Sequence, residues 1–332
     1  REGILTNFNI SVAVTDQFME AVKKDGKYNL INPRSGKAEA KLRARHVFDL
    51  IVSNAWRTGD PGLVFIDEIN RYNPTPKLGE IRSTNPCGEQ PLLAFESCNL
   101  GSINLVKMVK DREVDWEKLR RVTRTAVHFL DNVIDVNRYP VPEIGEVTRA
   151  NRKIGLGVMG FADMLIMLGV PYDSEEALAM GEKVMKFVSD EATKKSVEIG
   201  EKRDAFSNFE GSIWEKKGYE TIRNSTVTTV APTGTISIIA GCSGGIEPIF
   251  AVAFVRNVME GTRLLEIQPT FEELAKERGF YSRDLMLEIA KTGSIQNMEE
   301  VPKDVRRIFV TSLDIDPEWH VRMQAAFQKY VD

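Results

Sequence analysis

Apolar positions along this chain recur at two spacings, and each predicts a different kind of element. Short apolar or β-branched runs bounded by turn residues occur at 5–12, 63–66, 100–106, 154–160 and 226–230, and these read as strands. Between them apolar residues recur every third or fourth position, which predicts helices with one buried face. The first helix opens at the Thr15-Asp16 cap signal, carries Phe18, Met19 and Val22, and stops at Asp25-Gly26. A second covers about 44–57 with Val47, Leu50, Ile51 and Trp56 facing a core. A third spans 115–134 with Leu119, Val122, Ala126, Phe129, Leu130, Val133 and Ile134 inward. The longest runs over 174–202, with Leu178, Met180, Val184, Phe187, Val188 and Val197 as its stripe. Shorter helices are predicted at 67–71, after Pro140 and Pro142, from Phe161, at 269–278, at 282–291 and at 316–330. Residues 27–36 read as a polar excursion ending in a Pro-Arg-Ser-Gly turn. Strands alternating with helices predict an α/β fold with a mainly parallel sheet, and no internal repeat is present.

Composition narrows the classes of function. The chain has 332 residues, 42% hydrophobic, with a formal net charge of -4 and a pI near 5.7. That balance argues against nucleic acid or an anionic membrane surface as its main partner. No apolar run approaches the roughly 20 residues that span a bilayer, and the opening Arg1-Glu2-Gly3-Ile4 lacks the plan of a signal peptide. Three irregularly spaced cysteines fit a reducing compartment, so the expected location is cytoplasmic. The chain starts without methionine and enters a strand within a few residues, so it reads as excerpted from something longer.

Candidate chemistry concentrates between Asn85 and Leu105. Pro86 and Gly88 flank Cys87, which excludes ordinary helix or central strand there and describes a tight loop tip carrying a thiol. Asn85 and Glu89 lie two positions to either side, so an extended or looped backbone would turn an amide, a thiol and a carboxylate toward one substrate. A free cysteine is often a small apolar filler, but a Pro-Cys-Gly loop is a poor place for one. Cys98, taken alone, reads as core at the entrance to an apolar strand. A closed zinc site does not fit cysteines that lack Cys-x-x-Cys spacing and a nearby histidine, and no metal is expected. The Asp67-Glu68 pair reads as the acidic first turn of a helix, and His46 and His128 as helix side chains. A Gly-x-Gly-x-x-Gly pattern fits Gly155, Gly157 and Gly160, but helices follow it in place of a strand with an acidic end, so close strand and helix packing is the preferred reading. Residues 231–237 follow a β-branched run and open a helix. Their backbone N–H groups, with the Thr233, Thr235 and Ser237 hydroxyls, form either an anion site or a simple Thr/Ser cap with a glycine turn.

The block Asn85-Pro86-Cys87-Gly88-Glu89 resembles the large catalytic subunit of ribonucleotide reductase, most of all its adenosylcobalamin-dependent class. The resemblance continues through 96–105, returns at Ala231-Pro232-Thr233-Gly234-Thr235-Ile236-Ser237, and appears again at 323–330. It implies a ten-stranded α/β barrel of two five-stranded halves with a central finger loop. The whole chain, 1–332, would form a single partial barrel domain, about the second half, with the finger at 85–98 and the substrate-phosphate loop at 231–237. Cys87 would act as a thiyl radical on the ribose 3' hydrogen, Glu89 as acceptor of the 3'-hydroxyl proton, and Asn85 as a hydrogen-bond partner of the ribose hydroxyls. Cys98 would be one member of the reducing pair, and Pro232, Thr233, Gly234, Thr235, Ile236 and Ser237 would hold the substrate phosphates. The family's other reducing cysteine, its allosteric nucleotide site and half of its barrel lie on the amino-terminal side of Arg1. A Cys98–Cys242 pairing is the minor alternative. The implied cofactor is adenosylcobalamin, although no Asp-x-His-x-x-Gly cobalamin signature is present. The implied partners are a ribonucleotide, a thioredoxin-like or dithiol reductant, the missing amino-terminal half and a second copy of the chain. Two alternatives stay open: a reductase whose radical comes from a separate metal-containing subunit, and a non-catalytic barrel fragment that needs its other half.

Overall fold

The computed structural model of the chain describes residues 8–258 and 262–332. In chain order its elements are β1 (Ser11–Val14), α1 (Asp16–Lys23), β2 (Lys27–Ile31), β3 (Ala38–Arg43), α2 (Ala44–Thr58), β4 (Gly62–Phe65), α3 (Ile66–Arg71), β5 (Ser83–Thr84) and β6 (Pro91–Leu92). Then come β7 (Asn99–Asn104), β8 (Val109–Lys110), β9 (Glu113–Val114), α4 (Trp116–Val136), α5 (Pro142–Asn151), β10 (Ile154–Met159), α6 (Phe161–Leu168), α7 (Glu175–Arg203) and α8 (Ile213–Lys216). The rest are α9 (Gly234–Ala240), β11 (Ala253–Val258), β12 (Thr262–Ile267), α10 (Pro269–Glu277), α11 (Arg283–Thr292), α12 (Lys303–Ile308) and α13 (Pro317–Gln328). The chain forms two compact units, Arg1–Ser97 with Asn208–Tyr219, and Cys98–Ser207 with Glu220–Asp332.

In the first unit β1 pairs in parallel with β4, from Ser11 opposite Gly62 to Val14 opposite Phe65. Of the strand expected over 5–12, residues 8–10 are not strand and Ser11 and Val12 are, while residues 1–7 lie outside the described residues. Thr15 caps α1 by accepting the Phe18 N–H at 3.2 Å. The acidic pair at 67–68 has a structural use: Asp67 accepts the Asp16 N–H at 2.8 Å, and Glu68 pairs with Arg71. Residues 27–36 are a correction. They are the first arm and turn of an antiparallel hairpin, β2–β3, hidden from pattern reading because both its faces are largely exposed. The apolar stripe of α2 is also narrower than its spacing suggested. Ala44 and Ile51, two turns apart, are buried, while Leu50 is 49% and Trp56 88% exposed. At about 100° per residue those two side chains leave the Ile51 face by about 100° and 140°.

In the second unit β7 and β10 pair in parallel, from Asn99 opposite Ile154 to Asn104 opposite Met159, and every residue of β10 is buried. The Gly155-Gly157-Gly160 pattern serves packing here: a Cβ at Gly157 would lie 2.7 Å from the Thr229 carbonyl oxygen. The segment expected as a strand over 226–230 runs beside β10, with Ile154 and Leu156 donating to the carbonyls of Thr226 and Val227. It makes only one bridge, Leu156 with Thr228. The reason lies on its other side, where the N–H groups of Val227 and Thr228 both donate to Asp332 Oδ2, at 2.6 and 3.0 Å. Asp115 and Ser174 cap α4 and α7 through the N–H groups of Lys118 and Ala177. On α4 the buried face is Leu119, Thr123, Val127, Leu130, Asp131 and Ile134, and Phe129, expected inward, is 65% exposed.

Asp131 anchors a buried ion network. Arg152 Nε donates to it at 2.8 Å and reaches Asp135 at 2.7 Å, and the Asn224 amide donates to it at 3.1 Å. The Arg152 hydrogen bond holds the Asp135 carboxyl below its ordinary range. The two parallel pairs are each joined through helices, as a parallel crossover requires, whereas the four antiparallel pairs among the described residues join strands that are near neighbours in sequence. The expected mainly parallel sheet therefore describes the helix-linked strands and not the local hairpins.

Candidate active site

The Cys87 end of the segment expected to be a finger loop is a hairpin tip in the first unit. β5 and β6 pair Ser83 with Leu92 and Thr84 with Pro91, and the chain reverses between them. The reversal is fastened from inside: Asn85 N–H donates to the Gln90 carbonyl at 3.0 Å, and Gly88 N–H to the Asn85 carbonyl at 3.1 Å. The Asn85 side chain closes the ring by accepting the Gln90 N–H on Oδ1 at 3.0 Å. Gly88 has φ of +86°, a conformation that disfavours a side chain, and this is the physical reason for glycine after the cysteine. From outside the tip, Asn9 Nδ2 donates to the Pro86 carbonyl at 3.2 Å.

Within this frame Cys87 is exposed at the apex, Asn85 and Glu89 are half-buried, and Gln90 is buried. The structure therefore carries the thiol, the amide and the carboxylate on one short braced loop. Asn9 and Gln90 are contributors that pattern reading missed. An Asx side chain five residues before the N–H it accepts was the available signal.

The other candidate residues lie in the second unit. Cys98 is half-buried and immediately precedes β7, its Sγ 3.5 Å from the Asn99 carbonyl. Asn99 Nδ2 donates to the Leu130 carbonyl at 2.9 Å, which fixes that strand entrance to α4. At the phosphate-type loop, Thr233 is the cap residue of α9 and adopts the left-handed conformation, φ 53° and ψ 26°. Its hydroxyl caps no helical N–H and accepts instead from Gly245 at 2.7 Å. The first helical hydrogen bond is from Ser237 N–H to the Thr233 carbonyl, so the N–H groups of Gly234, Thr235 and Ile236 precede the bonded turn. Pro232, Gly234, Thr235 and Ile236 are exposed, while Thr233 and Ser237 are buried. Of the three hydroxyls considered from sequence, that of Thr235 is the exposed one.

Cys242 follows in the next turn, its N–H donating to the Ser237 carbonyl. Burial, reinforced by the Asp163 carboxylate, pushes its thiol up to about 11. All three cysteines are thiols in this structure. Among the described residues no group of three or more His, Cys, Asp or Glu side chains is arranged to hold a metal ion. No helix among them is long and apolar enough to cross a membrane.

Comparison with known proteins places the chain in a family. The family profile for the ribonucleotide reductase barrel domain matches residues 2–221 and 215–332. The vitamin B12-dependent ribonucleoside-diphosphate reductase of Thermoplasma acidophilum is 57% identical over 330 residues, which is 99% of this chain and 43% of that protein. The protein of the same name from Mycobacterium tuberculosis is 52% identical over 328 residues, 99% of this chain and 47% of that protein. The ribonucleoside-diphosphate reductase subunit alpha of Chlamydia pneumoniae is 30% identical across 88% of this chain and 32% of its own length. The chain thus spans less than half the length of these curated relatives. Among solved structures, the class Id ribonucleotide reductase alpha subunit of Actinobacillus ureae superposes with a TM-score of 0.77 over 98% of this chain and 57% of its own. At 23% identity that likeness concerns the fold. With its barrel-domain profile matched along nearly the whole sequence, this chain belongs to the ribonucleotide reductase barrel-domain family.

Proposed function

We propose that this chain is part of the catalytic core of a ribonucleotide reductase, reducing ribonucleoside di- or triphosphates to 2'-deoxyribonucleotides. The observation that carries this reading is the exposed Cys87 thiol at the apex of a hairpin locked by Asn85 and Gln90. A hydrogen-transferring thiol must be reachable and must not wander, and this loop meets both requirements. In the proposed sequence the Cys87 thiyl takes the 3' hydrogen of the ribose, so an S–H bond forms as a C–H bond breaks. Glu89 accepts the 3'-hydroxyl proton, which raises electron density at C3' and helps the 2'-hydroxyl leave as water. A dithiol supplies two electrons and two protons and becomes a disulfide. Cys98 is one of its sulfurs, and the other belongs to the part of the protein on the amino-terminal side. Cys87 then returns its hydrogen to C3' and is a thiyl again. Asn85 already commits Oδ1 to the loop, so its Nδ2 is the group offered to a ribose hydroxyl.

Residues 231–237 take the substrate phosphates in this reading. The N–H groups of Gly234, Thr235 and Ile236 and the exposed Thr235 hydroxyl are the donors, Pro232 borders them, and Thr233 and Ser237 shape the turn. Residues 1–332 are read as one partial barrel domain to which both compact units belong.

Adenosylcobalamin is the proposed radical source, and when bound it would supply the homolytic chemistry that removes the Cys87 hydrogen. The donor set fits in the respect this chain can supply: a bulky macrocycle needs an exposed thiol, and Cys87 with its exposed neighbours Pro86 and Gly88 would face it. The higher identity to the vitamin B12-dependent reductases of Thermoplasma acidophilum and Mycobacterium tuberculosis, 57% and 52% against 30% for the Chlamydia pneumoniae subunit alpha, supports this source over a separate metal-containing subunit. The remaining proposed partners are a thioredoxin-like or dithiol reductant, the amino-terminal half of the barrel and a second copy of the chain, in the cytoplasm.

The test is reduction of cytidine diphosphate with adenosylcobalamin and a dithiol. It compares this chain alone, this chain with the amino-terminal half added, and Cys87→Ala in both settings. Turnover that needs the added half and vanishes in Cys87→Ala is the expected result. Turnover surviving without Cys87 would overturn the reading, and no turnover in either setting would favour a non-catalytic fragment.

A further inference from the structure

The first turn of α6 grips one residue, Ser243, at three atoms. Gly160 N–H donates to the Ser243 carbonyl at 2.8 Å, Asp163 Oδ2 accepts the Ser243 N–H at 2.6 Å, and the Asp163 N–H reaches Ser243 Oγ at 3.5 Å. Asp163 is 8% exposed. Its second oxygen, Oδ1, accepts from Gln268 Nε2 at 3.0 Å. The orientation of the Gln268 amide is fixed by its other end, where Oε1 accepts the Phe271 N–H at 2.6 Å and caps α10. One buried carboxylate thus ties α6, the turn after α9 and the start of α10 together.

The turn that Ser243 anchors lies directly against the anion-type loop. Gly245 N–H donates to Thr233 Oγ1, and a Cβ at Gly245 would lie 2.7 Å from the Ala231 carbonyl oxygen. One at Gly244 would lie 3.1 Å from the Pro232 carbonyl oxygen. Thr233 needs such a brace, because a β-branched residue in the left-handed region persists only where its surroundings over-determine it. A loop held that way has its N–H groups already aimed before an anion arrives, which lowers the ordering cost of binding.

We infer that Asp163 is the positioning residue of the substrate-phosphate loop, acting through Ser243 and Gly245 on Thr233 and so on the N–H groups of Gly234, Thr235 and Ile236. The inference rests on the proposed phosphate role of residues 231–237. A carboxylate is the group required because it accepts two hydrogen bonds and presents no donor to either partner. In D163N one of the two partners meets an NH2 group instead. In Q268E two carboxylates face each other, while the cap on Phe271 is kept. In the double variant the new amide donates to the new carboxylate and still accepts from Ser243, so the pattern is restored with its polarity reversed.

These three variants, made in the full-length protein, test the inference with two readouts: hydrogen exchange of the 231–245 backbone, and affinity for cytidine diphosphate against cytidine. Each single variant is expected to speed exchange over 231–245 and weaken cytidine diphosphate about tenfold, the scale of one lost charge-assisted bond, with cytidine unchanged. The double variant is expected to recover most of both. Wild-type behaviour in both single variants, equal weakening of cytidine and its diphosphate, or a double variant no better than the singles would overturn it. Should the wild-type protein fail to prefer the diphosphate, the phosphate role of the loop falls instead, and the exchange rates still decide whether Asp163 braces it.

Discussion

Asn85 carries two tasks on one side chain, and they can be separated by substitution. Its Oδ1 accepts the Gln90 N–H and holds the finger closed, whereas its Nδ2 is the donor proposed for the ribose. Asn85→Asp keeps the acceptor and removes the donor. It should leave hydrogen exchange at Gln90 near the wild-type rate while turnover of the full-length protein falls by about tenfold or more. Asn85→Ala removes both, and should also release the loop, at a local cost of about 1–3 kcal/mol for the orphaned Gln90 N–H. Equal exchange at Gln90 in the two variants would show that Asn85 does not fasten the loop.

At this scale the sequence made the tip legible because proline and glycine around a cysteine leave few backbone choices. The inner fastening was missed, since its one signal, an Asx residue before the turn, is separated from the N–H it accepts by the turn the two create. The partner of the Thr233 hydroxyl was hidden for a related reason. A threonine before a glycine reads as an ordinary cap, and only the fold reveals that its hydroxyl turns away from the helix to Gly245.

Among elements, capped helices were the most readable feature. Thr15 announces α1, and α4 and α7 open at Asp115 and Ser174, where their apolar stripes were expected to begin; each of the three accepts the backbone N–H of the third residue after it. The hairpin β2–β3 was not readable, because a strand exposed on both faces has no alternation to detect. The expected strand over 226–230 reduces to one bridge because Asp332, about a hundred positions later, takes two of its N–H groups.

The glycines of β10 yield a test at this scale. In Gly157→Ala the new methyl meets a backbone oxygen at 2.7 Å, so β10 and the segment that leads to residues 231–237 must move apart. In Gly101→Ala, on the paired strand β7, the methyl lies 3.3 Å from the Leu130 side chain, which can adjust. Gly157→Ala should destabilise by about 1–3 kcal/mol and Gly101→Ala by less, read from the urea midpoint of the full-length protein. Equal midpoints would mean that β10 and that segment are not tightly packed.

For the molecule as a whole, sequence carried the family further than it carried the strand arrangement. Periodicity led only to an α/β fold. The partial barrel came from the resemblance, whose motifs fall in loops where residue type is dictated by chemistry and backbone geometry together. The first compact unit holds Asn85, Cys87 and Glu89, and the second holds Cys98 and residues 231–237. Since the chain spans 43% of its Thermoplasma acidophilum relative, the central claim is best tested in the complete protein. That claim is hydrogen transfer between the ribose and Cys87. The decisive measurement is turnover of cytidine diphosphate carrying deuterium at C3', with adenosylcobalamin and a dithiol present, in wild type and in Cys87→Ser. The account predicts slower turnover of the deuterated substrate in the wild type, deuterium retained at C3' of the product or lost only through exchange at sulfur, and no turnover in Cys87→Ser. Turnover of the deuterated substrate by Cys87→Ser at the wild-type rate would contradict it.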